Sequence, residues 1–211
     1  DTKFIRNNFS IVLERIVYEL RGLSCIDINL STTKKSIGSS KSFGKLIIEI
    51  EKIEEAISNY AARACEKLRT QKSKTNGIYV FLKTNPFRKN EPQYQKSATL
   101  GFDLPTSDTG LIIRSAKNLI KRIYDNRYRY HKCGIILLDL VPENQIQSHL
   151  FIKYDEYRKD NLMKVLDNIN KSMGRKTIFH ASQGIKYEWE TRRNKVSQHY
   201  TTKWEDLPKI Y

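Results

Sequence analysis

Hydrophobic positions along the chain switch repeatedly between helical and strand spacing. Phe9, Val12, Leu13, Ile16, Val17 and Leu20 recur at helical intervals ahead of Gly22, which predicts a helix over about residues 6–21 with one apolar stripe. That stripe needs a cover which the N-terminal piece does not supply, so it is expected to be the last helix of a domain lying upstream. Residues 25–38 are polar, rich in Ser, Thr and Lys and without periodicity, as a tether would be. Strands are then predicted over 40–46, 78–83, 95–104 and 133–140, the last an almost continuous apolar run suited to a central position. Between them lie two helices. The first, over 50–69, turns Ile50, Ile53, Ile57, Tyr60, Ala61, Ala64, Cys65 and Leu68 inward. The second, over about 110–124 and capped by Asp108, turns in Leu111, Ile112, Ala116, Leu119, Ile120 and Ile123.

The order strand–helix–strand–strand–helix–strand specifies an α+β fold of the split βαβ (βαββαβ) kind. Its four-stranded antiparallel-type sheet carries both helices on one face and leaves the other open. After residue 141 the pattern becomes linker-like. Asp160 is expected to cap a further helix with Leu162, Val165, Leu166, Ile169 and Met173 on one side, ended by Gly174, and residues 176–181 read as a strand. The resulting division is 1–24, a terminal helix; 25–38, a linker; 39–141, the sheet domain; 142–159, a second linker; and 160–211, a small α+β domain.

Charge changes the picture because it is segregated. Of a net +15 over 211 residues, the span 31–45 holds Lys34, Lys35, Lys41 and Lys45 with no acid. Residues 72–96 hold six cations against Glu91, and residues 114–132 seven against Asp125. Residues 1–30 are balanced, four of each sign. Cations gathered in this way point to a polyanion, since each Lys or Arg placed near a phosphate releases a condensed counterion. A basic surface without a partner is the competing reading. Lys41, Lys45, Lys83, Lys96 and Lys132 lie in or at the ends of strands, where a helix-free face could present them together. No stretch approaches the ~18 apolar residues that span a bilayer. Cys25, Cys65 and Cys133, odd in number and widely spaced, read as small core residues.

In the motif Ser40-Lys41-Ser42-Phe43-Gly44-Lys45, small hydroxyls and a glycine let backbone approach a phosphate while lysines supply charge. A solvated edge strand fits the same residues. Set at the start of this sheet, the motif resembles the phosphate-tracking strand of the little finger of Y-family DNA polymerases. Leu13-Glu14-Arg15, Glu19-Leu20-Arg21-Gly22, Tyr60-Ala61-Ala62-Arg63-Ala64, Glu66-Lys67-Leu68-Arg69 and Asn90-Glu91-Pro92 are similar to the UmuC-type branch of that family. Ala181-Ser182-Gln183-Gly184-Ile185, Trp189, Tyr200-Thr201-Thr202 and Asp206-Leu207 resemble the C-terminal segment peculiar to that branch. At Ser197-Gln198-His199-Tyr200 the chain departs from the family's Ser-Pro-Arg-Tyr, so no role of that arginine carries over.

The resemblance implies the C-terminal half of an error-prone translesion polymerase of the SOS response, working in the cytoplasm: the end of a thumb, a little finger and the branch-specific C-terminal domain. Such a piece would grip template–primer duplex DNA through phosphates and without sequence preference. The residues expected to do so are Lys41, Lys45, Lys83, Lys96, Arg129 and Lys132, with Ser42 and Gly44 allowing backbone approach. Gln147, followed by adjacent Leu150 and Phe151, looks like the family's sliding-clamp-binding pentapeptide. Two buried apolar side chains at roughly 1.5–3 kcal/mol each, less ordering costs, suit a micromolar contact of about −8 kcal/mol. Leu150 and Phe151 pinning the linker is the plainer alternative. Processed UmuD dimer and a RecA filament are further partners implied by resemblance. Catalysis is not expected here, since the Mg²⁺ of the parent enzyme sits among palm carboxylates, whereas Asp103 and Asp139 stand singly. His131, His149, His180 and His199 have no metal-ligand spacing. Tyr124, Tyr128 and Tyr130, alternating with Arg127 and Arg129, could stack bases or merely close a helix while the arginines meet phosphates. A protein-interaction module recruiting UmuD or RecA, with little direct DNA role, is the alternative of a different class.

Overall fold

Every second residue of a strand faces the same side, and among the described residues of the sheet unit the helices over 50–70 and 109–123 pack on one side of the sheet. The structure, a computed structural model, describes residues 2–25, 33–145, 156–191 and 196–208. The chain divides into two compact units, residues 1–33 and 34–211. In the first, the expected single helix is two: α1 (Thr2–Asn8) and α2 (Ile11–Leu20). Ser10 is the reason. Its backbone is extended and its Oγ accepts the Leu13 N–H at 3.3 Å, so it caps a new helix instead of continuing the old one. Phe9, Val12, Ile16 and Leu20 of the apolar stripe are exposed.

The second unit begins with β1 (Ile37–Ile47), α3 (Ile50–Thr70), β2 (Ser73–Lys83) and β3 (Gln95–Thr106). It continues with α4 (Thr109–Ile123), β4 (Tyr130–Pro142) and α5 (Glu156–Ser172). Each of the four strands expected of the sheet is present and somewhat longer. The sheet runs β1-β4-β2-β3 with every neighbouring pair antiparallel. β4, the continuous apolar run, is central, as its sequence requires. Ile78, Val80 and Leu82 of β2 and Cys133, Ile135 and Leu137 of β4 are all fully buried beneath α3 and α4. α3 presents Ile53, Ile57, Tyr60, Ala61, Ala64, Cys65 and Leu68 to the same core. α4 is capped by Asp108, whose Oδ1 accepts the Gly110 N–H at 2.8 Å. Burial pushes the Cys65 thiol up to about 12 and raises that of Cys133 as well, so both are inert core residues.

The C-terminal region differs most from expectation. Residues beyond 156 belong to the same compact unit as the sheet. Asp160 is inside α5, not its cap, and accepts an ion pair from the buried Lys74 at 2.9 Å. Asp167 receives Arg69 in a two-pronged contact at 2.6 and 2.7 Å. These charges select the inward face of α5, where Met163 is buried, and leave Leu162, Val165 and Met173 exposed. No strand forms over 176–181. The Asn170 side chain takes both backbone groups of Ile178, and a 3₁₀ turn covers Ala181–Gln183, so the ladder has no free partners there. The segment around Gly184 and Trp189 docks on α3: Asn59 donates to the Gln183 carbonyl, and the Trp189 indole N–H donates to Glu55 at 2.8 Å.

Gly134, in the centre of the sheet, is required for a different reason from flexibility. A Cβ there would run into the Ser40 side chain and stand 2.7 Å from the Phe81 ring. Gly134→Val should therefore destabilise the unit by about 1–3 kcal/mol through overpacking. Denaturant unfolding followed by circular dichroism measures it, and the loss should shrink when Phe81→Ala opens the space.

Candidate nucleic-acid interface

Strand register assigns each candidate side chain to one side of the sheet. Ser42 pairs with Lys132, Lys132 with Lys83, and Lys83 with Gln95, so one row crosses all four strands. These positions alternate with the buried core residues and therefore lie on the helix-free face. The next row is Ser40, Gly134, Phe81 and Ser97, followed by Gly38, Ile136, Tyr79 and Thr99. The open face thus consists of a cationic, hydrogen-bonding row at one end and a flat, partly apolar surface bordered by hydroxyls beyond it. Tyr79 and Phe81 lie tilted against one another with ring centres 6.2 Å apart.

Lys83 and Lys132 occupy directly paired positions. Like charges so placed repel, at a cost that an anion bound between them removes. His131 reports the same field. Its imidazole is held below its ordinary value first by burial and then by Lys132, Lys83 and Arg88. Arg88 reaches this end of the sheet from the β2–β3 loop. Its guanidinium pairs with Glu91 at 2.8 Å, and Arg129 meets the same carboxylate at 2.8 Å. Two arginines share one acid there, and about half of each side chain is open to solvent.

The remaining expected residues are elsewhere, so a single shared lysine face does not exist. Lys41 pairs in register with the fully buried Cys133 and therefore points to the helix-bearing side, where it meets Glu190 at 3.4 Å. Lys45 follows it and meets Glu188 at 3.5 Å. Lys96 pairs with the buried Leu82, which puts it on that side too, exposed and 5.4 Å from the centre of the Tyr94 ring. The Gly44 N–H donates to the Trp189 carbonyl at 3.1 Å, and the Ser42 carbonyl accepts from the Thr191 hydroxyl at 2.7 Å. Backbone approach at these two positions is consequently taken up within the chain. Of the eight, Ser42, Lys83 and Lys132 share the open face.

The tyrosines close a structure and present no platform. The Tyr124 hydroxyl donates to the Ile48 carbonyl at 2.7 Å, that of Tyr94 to Ile123 at 2.6 Å, and that of Tyr130 to Asp125 at 2.9 Å. Tyr128 stacks on Tyr94 at 4.5 Å between centroids, and Arg127 is spent on Asp125. The clamp-binding candidates Gln147, Leu150 and Phe151 lie outside the described residues. Among the described residues no three His, Cys, Asp or Glu side chains could hold a metal ion. The ammonium, hydroxyl and amide groups of the row do not suit the Mg²⁺ expected of a parent polymerase. Sequence reasoning did not assign Arg88, Ser97 or the acids at 188 and 190 to the site; Glu188 and Glu190 meet lysines far earlier in the chain, and no local signal marks them.

Residues 34–150 match the impB/mucB/samB family C-terminal domain, and residues 160–210 match a domain of unknown function, DUF4113. Protein ImpB of Salmonella typhimurium is 39% identical over 210 residues, which cover 99% of this chain and 49% of that protein. Protein UmuC of Salmonella typhimurium strain LT2 is 37% identical over 211 residues, covering 99% and 50%. DNA polymerase IV of Streptococcus mutans is 26% identical over 138 residues, covering 65% and 35%. The chain thus spans about half the length of its more similar relatives. An insertion ternary complex of Dbh DNA polymerase superposes with a TM-score of 0.42 at 10% identity, covering 67% of this chain and 39% of that one.

The depressed His131 gives a direct check on the cationic row. In Lys83→Gln/Lys132→Gln, two of the charges that oppose protonation are gone while burial stays. The His131 pKa should rise part of the way towards its ordinary value, read by NMR titration of the ring protons; an unchanged value would mean the lysines point away.

Proposed function

Because the chain belongs to the impB/mucB/samB family, we propose that it is the DNA-gripping C-terminal part of a Y-family translesion polymerase. The observation that carries this reading is the row Ser42–Lys132–Lys83–Gln95, with Arg88 beside it, on the sheet face opposite α3 and α4, which no helix covers among the described residues of this unit. Its groups are ammonium, hydroxyl and amide donors. They suit phosphodiester oxygens and have no arrangement for reading base edges, so the contact is non-specific. Phosphates entering the row relieve the Lys83–Lys132 repulsion and release counterions. Arg129 and Arg88, freed from their shared Glu91, extend the contact along the loop end. The open sheet lies along the duplex backbone and holds the primer end for an active site contributed by the other half of the polymerase. That half would supply the catalytic carboxylates and their Mg²⁺, and with them nucleotide addition opposite damaged bases in the SOS response of the cytoplasm.

Gln147, Leu150 and Phe151 then tether the enzyme to the sliding clamp. Leu150→Ala/Phe151→Ala should lower clamp affinity at least tenfold, with DNA affinity unchanged; equal clamp binding by fluorescence anisotropy would refute the tether.

A second reading is favoured by one observation. Leu162 and Val165 on α5 and Met173 just after its end are exposed apolar side chains, as a surface for a protein partner such as processed UmuD or RecA would carry. The two readings separate on DNA. Lys83→Glu/Lys132→Glu should weaken binding of a mixed-sequence duplex and flatten the log–log salt dependence by about 0.9 for each phosphate no longer neutralised. Binding with the wild-type affinity and slope would leave only the interaction module standing.

A further inference from the structure

The edge of β1 carries an unusual load. Lys41, Lys45 and Lys52 converge on two carboxylates that arrive from far later in the chain: Lys41 on Glu190 at 3.4 Å, Lys45 on Glu188 at 3.5 Å and Lys52 on Glu188 at 3.3 Å. The segment that brings them runs along the free edge of the sheet. It is fastened there by Gly44 N–H to the Trp189 carbonyl and by the Thr191 hydroxyl to the Ser42 carbonyl. Trp189 sits between the two acids and is buried, its ring edge-on to Tyr60 at 5.6 Å and its indole N–H on Glu55. Glu188 and Glu190 are spaced two residues apart and flank this anchor. Their side chains remain about half exposed while the backbone carrying them is held. The Glu188 carboxyl is held below its ordinary value, by Lys52 first and Lys45 second.

We propose that the β1 edge is a second phosphate-binding track, distinct from the open face, whose lysines are occupied in cis by Glu188 and Glu190 acting as phosphate stand-ins. The inference rests on the reading of this unit as a DNA-gripping module. Two ammonium groups on β1, Lys41 and Lys45, with Lys52 from the first turn of α3 beside them, suit a phosphodiester backbone, which offers evenly spaced anions along a line. Exposed ion pairs of this kind contribute little stability and are weakened by salt, so a polyanion can displace the carboxylates. Because Trp189 anchors the segment, the exchange needs only the two glutamate side chains to swing away, with no undocking of the backbone. The acids thereby lower the affinity for DNA and blunt its salt dependence, which lets a polymerase part leave the duplex readily. A partner that pulled the segment from β1 would strengthen the grip.

The test is a set of variants of the full chain, each titrated against a fluorescein-labelled duplex of mixed sequence at salt concentrations from about 50 to about 200 mM. Glu188→Gln/Glu190→Gln should bind tighter, with a log–log salt slope steeper by about 1.8, that is about 0.9 for each of two phosphates. Adding Lys41→Gln/Lys45→Gln should abolish that gain, while the same lysine changes in the wild-type background should cost little. Glu143→Gln/Glu205→Gln makes the same change of net charge at exposed sites away from this edge. If it matches the 188/190 variant, or if the gain survives removal of the lysines, the masked track is overturned. Trp189 fluorescence in a Trp204→Phe background verifies that the segment stays docked. Failure of the open-face reading shows separately, as wild-type binding by Lys83→Glu/Lys132→Glu.

Discussion

The packing of α3 and α4 on one side of the sheet is the constraint on which everything else in this unit depends. α3 and α4 bury Ile78, Val80 and Leu82 of β2 with Cys133, Ile135 and Leu137 of β4, and alternation along each strand then allocates every remaining side chain. Lys83 and Lys132 fall on the open side because they are odd steps from those core positions. Lys41 and Lys96 fall on the covered side because they pair with Cys133 and Leu82. No choice of side-chain rotamer undoes this allocation. A shift of one residue in either strand would expose the core.

The two sides hold charge in different ways. On the open face the cations stand next to one another, and they add to the burial that already holds His131 below its ordinary value. On the covered side they are met by acids from the C-terminal region: Lys41, Lys45 and Lys52 by Glu188 and Glu190, Lys74 by Asp160, Arg69 by Asp167. The most buried of these, Arg69 and Lys74, are structural and hold α5 in place. Those at the β1 edge are the exposed ones. A single C-terminal region thus does two jobs: it completes the core through Trp189 and Met163, and it sets how much positive charge the sheet edge shows.

Residues beyond 160 match one family description and residues 34–150 another, yet both belong to one compact unit. A strand edge with free backbone groups invites pairing with other chains. Here the hydrogen bonds at Gly44 and Ser42 close part of that edge. The later segment serves the sheet both as cover and as a source of opposing charge.

Much of this was legible in the chain alone. Apolar periodicity specified α3, α4, the four strands and the central place of β4, because burial against a common core imposes 3.6- and two-residue repeats that survive in a single sequence. The segregation of lysines led to the expectation of a polyanion, and the motifs taken together along the chain pointed to the family that residues 34–150 match. Periodicity could not say that Ser10 splits the first helix or that Asn170 captures Ile178, since both turn on one side chain competing for backbone groups. Nor could it place Leu162 and Val165 outside and Met163 inside, a choice made by Arg69 and Lys74 pulling on Asp167 and Asp160. Which lysines share a face was decided only by register, and which are neutralised only by tertiary contact. Both are relations between residues far apart in the chain, and local sequence carries no trace of a partner that arrives from its other end.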